Sequence, residues 1–69
     1  MSERDVRINY IAARINAGLS QEEAAKKLGI SVYTLANYEN GKTVPTWSTH
    51  IKMSECYQIP SEMLCPPKN

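Results

Sequence analysis

The chain has 69 residues, enough for one small domain with a thin hydrophobic core. Its net charge of +1, eight Lys and Arg against seven Asp and Glu, lacks the basic excess common among nucleic-acid binders, so charge alone does not point to DNA. Cys56 and Cys65 cannot make a disulfide framework, no charged leader with an apolar core is seen, and no apolar run approaches the roughly 20 residues of a membrane helix; a soluble, cytoplasmic protein is expected.

No repeat or low-complexity segment divides the chain, and Arg4, Arg7, Arg14, Lys26, Lys27, Lys42, Lys52 and Lys68 are scattered, so any basic footprint must be assembled by folding. One domain over residues 1–65 with a short tail over 66–69 is expected. From Arg4 to Ala17 the apolar residues Ile8, Ile11, Ala12 and Ile15, then Leu19, recur at intervals of three and four, the spacing of one helix face. Gly18 stops this helix. Ser20 with Glu23 three residues later is a capping box, which predicts a second helix from about Gln21 to Leu28 with Ala24, Ala25 and Leu28 inward.

Gly29 ends that helix and Ser31 caps a third, while Ile30 and Leu35 have the spacing of a hydrophobic staple. Leu35 and Tyr38 are expected to point inward, leaving Val32, Tyr33, Thr34 and Asn37 on the outer and leading side, until Asn40-Gly41 closes the helix. After the loop Lys42 to Pro45, Thr46 can cap a fourth helix carrying Trp47, His50, Ile51, Met53, Ser54 and Tyr57 to about Gln58; Trp47 and His50 are read as core. A fifth, short helical turn from Pro60 to Leu64 ends before Pro66, because the residue preceding a proline avoids helical angles. The expected class is all-α, with five helices and no strand.

The stretch LSQEEAAKKLGISVYTLANYENGK resembles the phage repressor and Cro (XRE-like) helix-turn-helix family: a Gln opening the second helix, a small residue at Ala25, glycine in the turn, aliphatic Leu35, and the ending Tyr-Glu-Asn-Gly-Lys. The resemblance extends from about Val6 to Leu64 and implies a compact five-helix lambda-repressor-like domain whose second and third helices form the helix-turn-helix. It implies that the third helix lies in the major groove with Val32, Tyr33, Thr34 and Asn37 at base edges. It also implies that Gln21, Asn40 and Lys42 hold phosphates and that Arg14 and Glu39 form a buried salt bridge.

Elementary chemistry agrees with these roles. At Gln21 the open amides and positive end of a helix dipole favour an anion, which lets a nearly neutral domain hold a phosphate. Asn37 can contact adenine N6 and N7, and Val32 or the Thr34 methyl can touch a thymine methyl, so an A·T-containing core is expected. Val32 replaces the long polar residue common at the first helix position and leaves apolar contact as its means of reading. Blander readings stand beside these: Tyr33 as an exposed aromatic, Asn37 as a solvated amide, Lys26 and Lys27 as a solvated face.

One His and one Asp, with no glycine-rich phosphate loop, supply no nucleophile, base and orienter set, so no enzyme is expected. Cys56 and Cys65 lack the further ligands of a structural zinc site; neither metal nor cofactor is expected. The expected function is that of a sequence-specific double-stranded DNA-binding transcription regulator, a repressor, acting as a homodimer on a pseudo-palindromic operator. The expected interface uses Ile59, Pro60, Met63 and Leu64, since the family commonly pairs through its C-terminal part. The alternative is a protein-interaction module of antitoxin or adaptor type, which the low net charge favours.

Overall fold

The computed structural model describes residues 7–67. Arg4 and Lys68 lie outside them. In chain order the elements are a short strand β1 (Ile8–Asn9), helices α1 (Tyr10–Asn16), α2 (Gln21–Leu28), α3 (Val32–Asn40) and α4 (Trp47–Tyr57), and a second short strand β2 (Leu64–Cys65). The described residues thus hold four helices and a parallel strand pair, where sequence analysis expects five helices and no strand.

Each helix begins where a short polar side chain can accept an amide hydrogen that the first turn leaves open. Asn9, Ser20, Ser31 and Thr46 accept from the amides of Ala12, Glu23, Thr34 and Thr49. At α2 the capping box is complete, with the Glu23 carboxylate accepting from the Ser20 amide at 2.9 Å. That amide first, and then the Ser20 hydroxyl, hold the Glu23 carboxyl below its usual range. Gly29 and Gly41 end α2 and α3 in the left-handed region. Gln58 does the same for α4 at φ 61°, where a side chain is strained.

The core gathers Tyr10, Ala13, Ala24, Ala25, Leu28, Leu35, Met53, Tyr57 and Leu64. α2 packs against both α3 and α4, and the buried alanines on its inner face allow neighbouring backbones to come close. Ile30 and Tyr38 pack against this core from the turn and from α3.

The first helix differs from expectation in start and in face. It begins at Tyr10, because Asn9 caps it and Ile8 is extended, hydrogen-bonded through its amide to the Met63 carbonyl at 2.8 Å. Tyr10 and Ala13 are buried, whereas Ile11, Ala12 and Ile15 are exposed. Long-range partners set this rotation. The Tyr10 hydroxyl lies 3.0 Å from His50 Nδ1, and Arg14 reaches α3. Because His50 Nε2 lies 3.0 Å from the Ser61 carbonyl, which can only accept, the neutral ring carries its hydrogen on Nε2, and Nδ1 accepts from Tyr10.

The expected fifth helix is a single turn. Met63 and Leu64 amides donate to Pro60 and Ser61 carbonyls, and the chain then straightens so that Leu64 pairs with Ile8 and Cys65 with Asn9. Trp47 is not core. It is 69 % exposed, lying beyond the end of the packed interior with its ring stacked on His50 at 5.2 Å. Cys56 and Cys65 are both free and partly buried.

Replacing Tyr10 by Phe leaves the buried His50 Nδ1 without its donor and should cost about 1 to 3 kcal/mol in urea unfolding. His50→Leu in the same background should then cost much less than it does alone. Additive costs would show that the two side chains are not coupled.

Candidate nucleic-acid interface

α3 has nine residues, and at a rise of about 1.5 Å per residue it is roughly 13 Å long, comparable to the ~12 Å width of a DNA major groove. Leu35 and Glu39 face inward, which leaves the opposite side free. On that side Tyr33, Asn37 and Asn40, spaced four and three apart, form one stripe down the helix, with Val32 and Thr34 flanking its leading end. Tyr33 is 74 % exposed, Asn40 is exposed, and Thr34 and Asn37 are half-buried. The stripe carries no charge.

One node fixes α3 against the rest. Arg14 Nε donates to Glu39 Oε2 at 2.7 Å, Nη2 donates to Oε1 at 3.4 Å, and Nη1 donates to the Leu19 carbonyl at 3.0 Å. Gln21 Nε2 also donates to Glu39 Oε1, at 2.9 Å. A single carboxylate at the end of α3 therefore accepts from α1 and from the first residue of α2, and the Leu19 bond ties in the turn between them. The Glu39 side chain is 2 % exposed and that of Arg14 12 %, so neither charge relaxes readily into water. The Tyr57 hydroxyl, buried without a hydrogen-bond partner among the described residues, is pushed far above the phenolic range. Burial is the main cause, followed by the Glu39 carboxylate, with Arg14 opposing.

Gln21 stands at the start of α2, half-buried, with its amide turned toward Glu39. One Nε2 hydrogen is thereby used; the amide has a second. Lys42 lies exposed just past α3, and its backbone amide and that of Thr43 both donate to the Asn37 carbonyl, at 3.0 and 3.4 Å. The loop that carries Lys42 is thus fastened to the helix it follows.

Ser31 contributes more than a cap. Its hydroxyl accepts from the Thr34 amide at 3.0 Å and donates to Thr34 Oγ1 at 2.9 Å, which leaves the Thr34 hydroxyl hydrogen to point elsewhere. The Ser-x-x-Thr spacing is the signal in the sequence that could have found this pair. The C-terminal residues are less uniform than the sequence suggests. Pro60 is exposed and Met63 half-buried, Ile59 packs partly against the core, and Leu64 is 3 % exposed inside it. Leu64 is held in place by core packing and by its strand pairing with Ile8.

The model of the helix-turn-helix family matches residues 11–64. The HTH-type transcriptional regulator ImmR of Bacillus subtilis (strain 168) is 40 % identical over 52 residues, covering 75 % of this chain and 41 % of that protein. The antitoxin HipB of Escherichia coli (strain K12) is 38 % identical over 52 residues, covering 75 % of this chain and 58 % of that one. This chain therefore spans about half the length of these relatives. No solved structure matches significantly.

Removing one side of the buried node should be costly: Glu39→Ala, which leaves the Arg14 guanidinium unpaired, is expected to lower unfolding free energy by about 3 to 5 kcal/mol. Urea titration at neutral pH checks this. A change within a few tenths of a kcal/mol would mean that the pair holds nothing in place.

Proposed function

This chain belongs to the XRE-type helix-turn-helix family, and from that premise we propose that it is a sequence-specific double-stranded DNA-binding transcription regulator, a repressor. The observation that supports this most is the uncharged stripe of α3, held at a set angle by the Arg14, Glu39 and Gln21 node and fitting a major groove in length. A helix that discriminates bases needs shape and directional hydrogen bonds more than charge. In this reading Val32, Tyr33, Thr34 and Asn37 meet base edges. Asn37 offers its amide to adenine N6 and N7, while Val32 and the Thr34 methyl offer apolar contact to thymine.

Gln21, Asn40 and Lys42 hold phosphates on either side. Gln21 donates one amide hydrogen to Glu39 and the other to a phosphate, so that the group that orients α3 also registers it on the backbone. The regulator acts as a homodimer on a pseudo-palindrome with half-sites about one helical turn apart, paired through its C-terminal part. A second reading, a protein-interaction module, has in its favour the net charge of +1 and the similarity to a protein named an antitoxin. In that case a protein partner takes the place of the duplex.

Selection from a random duplex library at moderate salt separates the two. Wild type is expected to recover a two-fold symmetric motif, and Asn37→Ala to lose about 1 to 3 kcal/mol of discrimination at one base pair with the fold intact. No motif from a folded wild-type chain favours the protein-partner reading.

Lys42→Ala should weaken binding to every duplex alike and flatten the dependence of log affinity on log salt by about one unit. An unchanged slope in a salt titration removes Lys42 from the phosphate set.

A further inference from the structure

Thr34 stands at the leading end of α3 with a hydroxyl whose hydrogen has no partner within the fold. The Ser31 hydroxyl accepts from the Thr34 amide at 3.0 Å and gives its single hydrogen to Thr34 Oγ1 at 2.9 Å. Thr34 Oγ1 is therefore an acceptor on its inner side, and its own hydrogen meets no acceptor among the described residues. Threonine is β-branched and stiff at χ1, where a bond to its hydroxyl selects between its two helical rotamers. The bond from Ser31 consequently fixes both the oxygen and the methyl. The start of α4 supplies the contrast. Thr46 donates to Thr49 Oγ1 at 3.2 Å, but Ser48 Oγ lies 3.4 Å from the same Thr46 oxygen and either of those two can be the donor. At α3 no third hydroxyl competes among the described residues, so the polarity is defined.

We propose that Ser31 makes Thr34 an obligate donor into the major groove, and that Thr34 thereby reads a thymine, its hydroxyl giving a hydrogen to O4 and its methyl meeting the C5-methyl. This rests on the DNA-reading assignment of α3 and deepens it. In the major groove thymine sets an acceptor oxygen beside a methyl, the partners of the two groups that one threonine carries on its Cβ. Cytosine sets a donor amino group in place of that oxygen, so a donor meets a donor. Guanine and adenine offer acceptors without the methyl. Ser31 is a positioning residue here: it acts through the direction of a hydrogen, not by touching a base.

Competition binding of the purified chain to duplexes from the library selection tests this. Each T·A pair of the recovered motif is replaced in turn by 5-methylcytosine with guanine, which keeps the methyl and turns the acceptor into a donor. A second series uses uracil with adenine, which keeps the acceptor and loses the methyl. At one position of the half-site, wild type is expected to prefer thymine over 5-methylcytosine roughly tenfold. Thr34→Val, which keeps the methyl and loses the hydroxyl, should bring that ratio to within roughly twofold of unity, while uracil still binds less well than thymine. Ser31→Asp decides the role of Ser31. A carboxylate caps the helix but only accepts, so it takes the Thr34 hydrogen and leaves the oxygen's lone pairs facing outward. The preference at that position should then reverse, in favour of 5-methylcytosine by roughly threefold or more. The added charge weakens both duplexes alike and cancels in the ratio.

A damaged cap lowers stability and overall affinity but does not reverse a base preference. Ser31→Asp with the wild-type ratio overturns the proposal, as does Thr34→Val that discriminates like wild type, or a motif without a thymine. If the folded chain recovers no motif, the DNA-reading assignment falls and this inference with it. A motif whose ratios respond to neither variant removes this inference alone.

Discussion

The carboxylate of Glu39 is where the architecture closes. It is the last inward-facing residue of α3, and it accepts hydrogen bonds from Arg14 on α1 and Gln21 at the start of α2. Neither the ion pair nor the amide contact is available to an isolated helix, so the angle of α3 is a property of the assembled domain. The cost of burying two charges is offset only while every partner is present. This makes the node a poor source of net stability and a strong specifier of geometry. A helix presented to a groove needs such a specifier, because its side chains discriminate only from a fixed position.

Around the node, the turns leave little slack. α2 and α3 are joined through Gly29 in the left-handed conformation, Ile30 against the core, and Ser31 as cap. Leu35 and the paired alanines Ala24 and Ala25 then let the two helices pack closely. Beyond α3 the Lys42 and Thr43 amides are both spent on the Asn37 carbonyl. Asn37 thus lies on the outer side of α3 while its carbonyl anchors the following loop, which fastens Lys42 to the helix that precedes it.

The parts of this design that were legible in the sequence are the local ones. Ser20 with Glu23, Ser31, Gly29 and Gly41 act within a few residues of themselves, and the bounds of α2 and α3 follow from them. Arg14 and Glu39 became legible through resemblance to a family. The start and face of α1 were not, because Ile11 and Ile15 have ideal spacing for burial and lose to Tyr10 and Ala13 for reasons lying 40 and 25 residues away, at His50 and Glu39. The two-residue strands were invisible for the same reason: a parallel pair so short has no periodicity of its own, and it forms because packing brings Ile8 beside Leu64. Trp47 misleads differently. Its hydrophobicity argues for the core, and its place three residues before His50 puts it on the right side of α4, but the core ends first.

The exposed Val44 and Trp47 side chains and the uncharged helix are linked by the loop between them. From Asn40 to Trp47 the chain passes through Lys42, fastened to Asn37, and Pro45, which is buried. Only a short, pinned segment therefore separates the uncharged stripe of α3 from the exposed Val44 and Trp47 side chains. The placement of the loop beside α3 is thus held by its own backbone hydrogen bonds as well as by the core beneath Pro45, so a near-neutral domain presents its uncharged helix from a scaffold with little slack.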